Sequence, residues 1–198
     1  MKSQSAKNRQ LLQHIATERF DLVAMGRWEA ARQYFIVEQD PEVLGLFALR
    51  KQPRSFLKVF MSVKGTKFPK RVHHQIIARS TGKPIGLHTI QNLKHNSATM
   101  AVIIYDKAWW GKDAAIEVRK AIIIAYQAAN GVTQFCSDVH SRNFASILNY
   151  KKLGFENTGV RYSCGYDELR NEPADYLSFS LRGGQLAEKL KVWGNFNV

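Results

Sequence analysis

Four polar side chains stand close together in the sequence, with residue types that group-transfer chemistry uses. Asn143 and Ser146 lie at the start of a predicted short helix, and Tyr150 follows one turn later. His140 ends the alternating segment 133–140, which the pattern predicts to be a strand. A polar loop between a strand and a helix often holds a phosphate-bearing ligand. Since a phenol can donate a proton and an imidazole can accept one near neutral pH, this stretch predicts a site for binding and proton transfer.

The elements that must position this stretch follow from the hydrophobic periodicity, because strands alternate and helices repeat every 3.6 residues. The predicted strands are 20–25, 75–79, 84–90, 98–105, 133–140, 160–162 and 176–181. The predicted helices are 28–35, 41–49, 54–63, 114–130 and 143–153. The sequence shows no internal repeat or linker. It therefore predicts one α+β domain with a single mixed sheet and helices on both faces.

The composition is typical of a soluble globular protein. The chain has 198 residues, of which 45% are hydrophobic and 23% are charged. It has no apolar run near the roughly 18–20 residues that span a bilayer, and its first residues lack a signal-peptide core. Cys136 and Cys164 are too few for a disulfide framework or a cysteine-based metal site. We expect a cytoplasmic protein with free thiols, no metal and no membrane contact.

The positive charge is concentrated in one region. The formal net charge is +13, yet residues 43–105 contain no acidic residue and eleven Lys or Arg residues. Such a region either serves as a solvated surface or attracts an acidic partner, because a positive field raises encounter rates with anions. Its densest part is the basic segment Arg50 to Arg71.

The spacing of the polar residues resembles a known motif. Asn143-x-x-Ser146, followed by Tyr150 and by Leu-Gly-Phe at 153–155, is similar to motif B of the GNAT acyltransferase superfamily. The order of predicted elements is also similar to this superfamily, and the resemblance runs from about residue 17 to residue 181. It implies a polar lead-in at 1–16, a GNAT-like acyltransferase domain at 17–182 and a tail at 183–198.

Two further segments resemble one branch of the superfamily. Residues 17–22 and 40–43 look like the ribosomal-protein N-terminal acetyltransferases of RimJ/RimL type. Members of this branch often have a glutamate on the central strand, where this sequence has Met100. The general base is therefore open between His140 and water, and His88 and Asp138 are weaker candidates because no motif supports them. Tyr150 matches the tyrosine that protonates the departing thiolate in the family.

The resemblance also implies where acetyl-CoA binds. The family holds the pyrophosphate on backbone N–H groups at the start of its long helix, where orphan donors and the helix dipole favour an anion. Trp110 and Asp113 depart from the family pattern there, and Asp113 fits a helix cap as well as a ligand contact. The matching residues are Trp110, Gly111, Lys112, Asp113, Ala114 and Ala115 for the pyrophosphate, Ile103, Ile104 and Tyr105 for pantetheine and the thioester, and Asn143 and Ser146 for pantetheine.

These residues together predict an N-acyltransferase that moves acetyl from acetyl-CoA to a primary amine by direct attack in a ternary complex. The acceptor is open between a protein N-terminus, an amino sugar, a polyamine and a small amine. A polyamine is disfavoured because the basic segment would repel it, which favours an anionic acceptor. Two alternatives remain at this stage. Acyl carrier protein is one possible donor, and the other reading is a catalytically silent module that binds RNA or the ribosome. A homodimer is also possible.

Overall fold

The computed structural model describes residues 8, 10–68, 70–92 and 95–193. An eight-stranded sheet has the order β1-β2-β3-β4-β5-β6-β8-β7, in which β5 and β6 are parallel and the other neighbours are antiparallel. The strands are β1 (His14–Ala16), β2 (Phe20–Met25), β3 (Arg71–Ala78), β4 (Lys83–Asn92), β5 (Ser97–Ile104), β6 (Gln134–His140), β7 (Glu156–Asp167) and β8 (Glu172–Arg182).

Helices cover both faces of the sheet, as the sequence predicts. They are α1 (Arg27–Gln39), α2 (Pro41–Ala48), α3 (Phe56–Ser62), α4 (Ala114–Asn130), α5 (Phe144–Lys152) and α6 (Gly183–Trp193), with a short 3₁₀ helix at Lys107–Trp109. Residues 10–13 are also helical. No helix in the part of the chain that the structure describes is both long and apolar enough to cross a membrane.

The two faces of the sheet bury different side chains, because successive strand residues point to opposite sides. Ile90 and Met100 pack in the larger apolar cluster with α4 residues such as Ile122. Leu87 lies three residues from Ile90 on β4, and Ile103 lies three residues from Met100 on β5. They therefore point to the other face, where they belong to a second cluster with residues of α1 and α3. The central strands β4 and β5 are thus covered on both sides, which confirms the single mixed-sheet α+β architecture.

The functional geometry of the sheet comes from a divergence between β5 and β6. Their parallel pairing covers three residue pairs, from Ser97 with Gln134 to Thr99 with Cys136. Beyond that point β6 continues to pair with β8 as far as His140, while β5 continues to pair with β4 as far as Ile104. The two strands therefore separate, and a wedge-shaped opening forms between neighbours of one sheet.

A glycine allows the close approach at the far end of β4 and β5. Gly86 faces Ile104 in the strand register, and a Cβ on Gly86 would clash with the carbonyl oxygen of Ile103. The N–H groups of Tyr105 and Asp106 both donate to Ile85 O, at 3.0 and 3.1 Å. This shared acceptor marks a local irregularity that turns the chain out of β5 toward the loop before α4.

All predicted strands and helices are found, and the differences lie at the chain ends and in lengths. The strands predicted at 160–162 and 176–181 are the middle parts of the long hairpin formed by β7 and β8. Strand β1 lies within the predicted lead-in and pairs with β2. Over Gly183–Trp193 the predicted tail is a helix whose Leu186 and Trp193 are buried in the larger cluster. These two apolar anchors pack this part of the predicted tail on the core.

Candidate active site

A cavity of about 550 Å³ occupies the opening between β5 and β6. Its walls come from both separated strands, from the start of α4, from α5 and from α2. Leu46 and Phe47 contribute apolar surface from α2, and Leu148 does so from α5. The opening thus brings together most of the candidate site residues between 103 and 150, and it adds a wall from α2, about a hundred positions before α5 in the chain.

The exposed edge of β5 offers backbone groups to this cavity. Ser137 on β6 donates its hydroxyl to Met100 O at 3.0 Å, so the backbone groups of Met100 face β6. Because successive backbone groups point to opposite edges of a strand, those of Val102 and Ile104 face the same side. Beyond Thr99 no strand pairs with this edge in the described part of the chain. The N–H groups of Val102 and Ile104 are therefore available to a ligand.

Ile103 and Tyr105 are the other two residues predicted to lie around the thioester, and their backbone N–H groups do not face the cavity edge as that of Ile104 does. The side chain of Ile103 is buried in the second apolar cluster. Tyr105 donates its N–H to Ile85 O and its hydroxyl to Gln33 Oε1, the latter at 2.7 Å. Burial raises the pKa of Tyr105 to about 12, so this phenol stays protonated at neutral pH. Tyr105 thus braces α1 against the sheet.

The loop before α4 leaves backbone donors free at the helix start. The first helical hydrogen bonds run from the N–H groups of Ile116 and Glu117 to Asp113 O, both at 3.0 Å. Gly111, Ala114 and Ala115 all line the cavity. Orphan N–H groups at a helix N-terminus attract anions, and the helix dipole adds to that attraction.

Asp113 does not cap this helix, contrary to one of the two roles expected for it. Its backbone is left-handed, with φ 53° and ψ 19°, and its side chain makes no capping hydrogen bond. An N-cap residue normally has extended backbone angles that turn its oxygen toward the free N–H groups. Here the carboxylate instead pairs with Lys152 Nζ at 3.2 Å. That pairing offsets the negative charge beside the free donors.

Contacts from distant segments fix the loop. Trp110 donates its indole N–H to Ile104 O at 2.9 Å, which ties the loop to the end of β5. Arg19 donates to Lys112 O at 3.0 Å and pairs with Glu117 on α4 at 2.6 Å. The start of α4 is therefore held against the turn that precedes β2.

Asn143 begins α5 and joins it to the opposite wall. Its side-chain oxygen accepts from the N–H of Ser146 at 3.0 Å, which is an N-cap. Its Nδ2 donates to Leu46 O on α2 at 3.4 Å. Both Asn143 and Ser146 line the cavity. The capping role is thus confirmed, and it leaves Asn143 positioned at the cavity mouth.

Tyr150 lies at the base of the cavity in a buried chain of hydroxyl groups. Its hydroxyl donates to Ser137 Oγ at 2.7 Å, and Ser137 in turn donates to Met100 O. The ring is 1% exposed and stacks on Phe179, with ring centroids 5.4 Å apart. The guanidinium carbon of Arg119 lies 4.3 Å from the centre of the Tyr150 ring. Packing thus holds the phenol in one place, with a cation against its face.

His140 lies where β6 ends, between the main cavity and a smaller one of about 270 Å³. Burial lowers the pKa of His140 below its ordinary value, against an opposing effect of Asp167. The imidazole is therefore neutral at pH 7 and can accept a proton. Its ring contacts Tyr176 edge-on, with centroids 5.7 Å apart. Of the candidate bases, His140 alone combines a neutral imidazole with access to both cavities among the described residues.

The weaker candidate bases are placed unfavourably. His88 is completely buried, and burial holds its pKa well below the ordinary value. Asp138 lines the cavity, but its oxygens accept from Arg161 at 2.7 Å and from Ser178 at 2.7 Å. Met100, where relatives often have a glutamate, is a buried apolar residue. The structure thus favours neither His88 nor Asp138.

Sequence reasoning missed two residues of this site, Ser137 and Arg119. Both lie at alternating or helical positions that point toward the core, where an apolar residue is the ordinary expectation. The signal available in the sequence was the presence of a polar residue on such a face. Only the packing of β6 and α4 against α5 brings the two residues to Tyr150.

A wedge between parallel strands, combined with free donors at a helix start, is an arrangement that can hold an extended, phosphate-bearing ligand along a strand edge. A family model described as an acetyltransferase (GNAT) domain matches residues 19–156, which is more than half of the chain. The chain therefore belongs to the GNAT family of N-acetyltransferases. No protein of curated function matches the sequence significantly.

Solved structures share this fold. A GCN5-related N-acetyltransferase from Brucella melitensis superposes with a TM-score of 0.72 at 12% identity, over 92% of this chain and 84% of that one. RimL, a ribosomal alpha-N-protein acetyltransferase in complex with coenzyme A, superposes with a TM-score of 0.71 at 13% identity, over 85% of this chain and 97% of that one. A ribosomal-protein-alanine acetyltransferase from Vibrio fischeri superposes with a TM-score of 0.65 at 14% identity, over 87% of this chain and 98% of that one. At these identities the similarity establishes the fold.

Proposed function

We propose that this chain is a cytoplasmic acetyltransferase that moves the acetyl group of acetyl-CoA to a primary amine by direct attack in a ternary complex. The observation that supports this most strongly is the opening between β5 and β6. It offers the unpaired N–H groups of Val102 and Ile104 along one wall and free donors at the start of α4 at one end. This arrangement fits pantetheine along the strand edge and pyrophosphate at the helix.

The local charges fit a pyrophosphate once the ion pairing is included. Asp113 alone would repel a phosphate, but Lys152 pairs with its carboxylate. Lys112 adds a further cation on the same loop, and its ammonium lies 5.9 Å from the centre of the Trp109 ring. The helix dipole and the orphan N–H groups supply the remaining attraction.

The proton transfers are assigned to two residues that line the opening, His140 and Tyr150. His140 accepts the proton of the attacking amine, because its imidazole is neutral and borders both cavities. The N–H groups of Val102 and Ile104 are donors for the charge that develops on the thioester oxygen. Tyr150 donates its phenolic proton to the departing thiolate, from the base of the cavity.

The smaller cavity is proposed to receive the acceptor. His140 and Asn143 line both cavities, and Arg142 and Arg170 line the smaller one. These arginines share Asp167, whose oxygen lies 3.6 Å from Arg142 and 3.0 Å from Arg170. Arg142 also pairs with Glu172. The two guanidinium groups are therefore already oriented by carboxylates, and a carboxylate on the acceptor would share them.

The basic segment has a smaller role at the site than the sequence suggested. Arg50 and Arg54 both bind the buried Glu38, at 2.6 and 2.8 Å, and so brace α1 against the following loop. The described residues that line the two cavities come from outside 50–71. We propose that the exposed Lys64, Lys67 and Lys70 attract an acidic protein acceptor at longer range.

Mass spectrometry of a peptide panel tests this proposal. The protein is incubated with acetyl-CoA and peptides that differ in the charge of the residues after a free N-terminus. We expect acetylation of acidic peptides above basic ones, with a preference that falls as salt rises. Reversal of Lys64, Lys67 and Lys70 to Glu should reduce that preference. The control reverses Lys83, Lys151 and Arg182, which gives the same change in net charge elsewhere.

Three outcomes would contradict the proposal. Equal rates in both charge-reversed proteins would remove the role of the three lysines. If acetyl-CoA fails as a donor while an acyl carrier protein loaded with an acetyl group succeeds, the donor assignment is wrong. Binding of RNA without any acetyl transfer would favour the silent module.

A further inference from the structure

Arg119 is a buried cation at the base of the cavity, and none of the roles assigned above uses it. It lies on α4 one turn after Ala115, and both residues line the cavity. Its residue is 2% exposed. The Nε and Nη1 atoms are buried and have no hydrogen-bond acceptor among the described residues. A guanidinium in such a place is unusual, because arginine is rarely buried without a partner.

The described residues around Arg119 supply no counter-ion. Its only described contact of ionic character is with the ring of Tyr150, at 4.3 Å from the guanidinium carbon to the ring centre. No carboxylate of the described residues lies within ion-pair distance of it. The neighbouring His88 is neutral and also lacks hydrogen-bond partners in the described structure. The cation therefore has no counter-ion among the residues that the structure describes.

A missing counter-ion at this depth points to a negative charge that appears when a substrate is bound. The free donors at the start of α4 lie one helical turn before Arg119, toward the cavity mouth. The phenol of Tyr150 lies beside Arg119 at the base. A pyrophosphate bound at the helix start would therefore lie at a different place in the cavity from a charge that forms near Tyr150.

We propose that Arg119 is the cation that stabilises the coenzyme A thiolate as it leaves, and that it does so next to the proton donor Tyr150. This proposal rests on the proposed function. When the carbon–sulfur bond of the thioester breaks, the electron pair stays on sulfur. The O–H bond of Tyr150 then breaks, an S–H bond forms, and a phenolate remains that takes a proton back from water.

Arg119 favours both states of this step. A phenol is ordinarily a weaker acid than a thiol, so the proton transfer from tyrosine to a thiolate is uphill in water. A positive charge beside both groups stabilises whichever of them is negative, and the buried setting strengthens that interaction. The cation therefore lowers the energy of the thiolate before the transfer and of the phenolate after it.

Titration of the thiol of bound coenzyme A tests the proposal without an acceptor. The ultraviolet absorbance of the thiolate is followed against pH in the protein saturated with coenzyme A. The same protein saturated with S-methyl coenzyme A is subtracted, which removes the signals of Cys136, Cys164 and the tyrosines. The titratable groups that line the cavity around Arg119 are Asp113, Asp138, His140, Tyr150, Lys152 and Tyr176, and His88 lies beside Arg119. The subtraction cancels their titration where both ligands leave it unchanged.

The expected result is a bound thiol that ionises about one to two pH units below free coenzyme A. Arg119→Met should abolish this shift, and Arg119→Lys should retain most of it, because lysine keeps the charge. Tyr126→Phe is the matched control, since it removes another buried, unpartnered polar atom from α4 without changing charge. It should leave the shift as in the wild type.

The outcomes separate this inference from the proposed function. If calorimetry shows no binding of coenzyme A to the wild type, the proposed function fails and the inference falls with it. If coenzyme A binds equally to wild type and Arg119→Met but the thiol titrates identically in both, Arg119 has no role in stabilising the thiolate. A shift lost equally in Arg119→Lys and Tyr126→Phe would show that packing, and not charge, produces it.

Discussion

At the scale of single residues, the site depends on a phenol held in one orientation. Tyr150 is packed between Phe155 and Phe179, with ring centroids at 5.0 and 5.4 Å, and its hydroxyl is bonded to Ser137. Rigid placement of a proton donor is what acid catalysis requires, because reactive geometry is then reached without further ordering. The hydroxyl of Ser137 donates to Met100 O, and it can turn its proton toward the phenolic oxygen when Tyr150 donates to another acceptor.

Removal of the Tyr150 hydroxyl gives the first prediction. Tyr150→Phe keeps the packing of the ring and should lower kcat about 10²-fold, the usual share of acid catalysis. Affinity for acetyl-CoA should change little, because the ring stays in place. Steady-state kinetics and calorimetry measure the two quantities. Unchanged kcat would exclude Tyr150 as the proton donor, and Tyr126→Phe should behave as the wild type.

The second prediction concerns His140 and pH. Because burial lowers its pKa, the imidazole is protonated only at pH below its ordinary range, and activity should fall as pH drops through that lowered value. In His140→Gln this acidic limb of the kcat/KM profile should disappear, with a reduced rate at neutral pH. Rates measured between pH 5 and 9 decide the matter. An acidic limb that persists unchanged would assign the base to water or to another group.

At the scale of secondary-structure elements, the start of α4 decides how anions are received. The helix has free N–H groups, a left-handed Asp113 and an ion pair from Asp113 to Lys152 on α5. The pair links two helices that flank the cavity. Since both side chains are exposed, its contribution to stability is small, and its main effect is on the local charge.

A matched pair of variants tests this arrangement. Asp113→Asn keeps a residue that tolerates left-handed angles and removes the charge, so affinity for coenzyme A should rise severalfold with little change in melting temperature. Lys152→Met leaves the carboxylate uncompensated, so affinity should fall by a similar factor. Calorimetric titration with coenzyme A measures both. Equal affinity in both variants would mean that Asp113 and Lys152 do not act on the bound phosphate.

Much of the architecture could be predicted from the sequence, and particular residues show why the rest could not. Alternation located β2 at Phe20–Met25 with the bounds the structure has. The three residues of β1 were missed because so short an edge strand has no periodicity of its own. The sequence predicts Asn143 at the start of α5 and Tyr150 within this helix, but the role of Ser137 depends on the divergence of two strands. Register and divergence are tertiary properties, so local patterns do not report them.

At the scale of the whole molecule, the protein buries several neutral histidines in a strongly basic chain. Burial lowers the pKa of His74 to about 4 and holds that of His88 well below its ordinary value. Their rings lie side by side, with centroids 5.8 Å apart, on neighbouring strands β3 and β4. The unfolded chain binds protons at these positions near pH 6.5, whereas the folded chain does not.

The fourth prediction follows from this difference in proton binding. As pH falls below about 6.5 the unfolded state gains protons first, so stability should fall by about 1.4 kcal/mol per pH unit for each buried histidine. Urea unfolding at pH 7, 6 and 5 measures the loss. His88→Leu should reduce the slope by about 1.4 kcal/mol per pH unit and leave the contributions of His73, His74 and His140, because burial also lowers their pKa values. The carboxyls of Glu38 and Asp167 act only at lower pH, because their folded pKa values are below the ordinary ones. A flat profile from pH 7 to 5 would contradict the account.

The central claim is that acetyl-CoA binds in the opening between β5 and β6, with its pyrophosphate at the start of α4. Calorimetric titration of acetyl-CoA into wild type and Ala115→Glu tests it directly. A glutamate in the first helical turn favours the helix but repels a phosphate, so binding should weaken at least about tenfold without loss of stability. Ala187→Glu, on the exposed part of α6, should bind as the wild type does. No heat with wild type at about 1 mM acetyl-CoA, or equal affinity in Ala115→Glu, would contradict the claim.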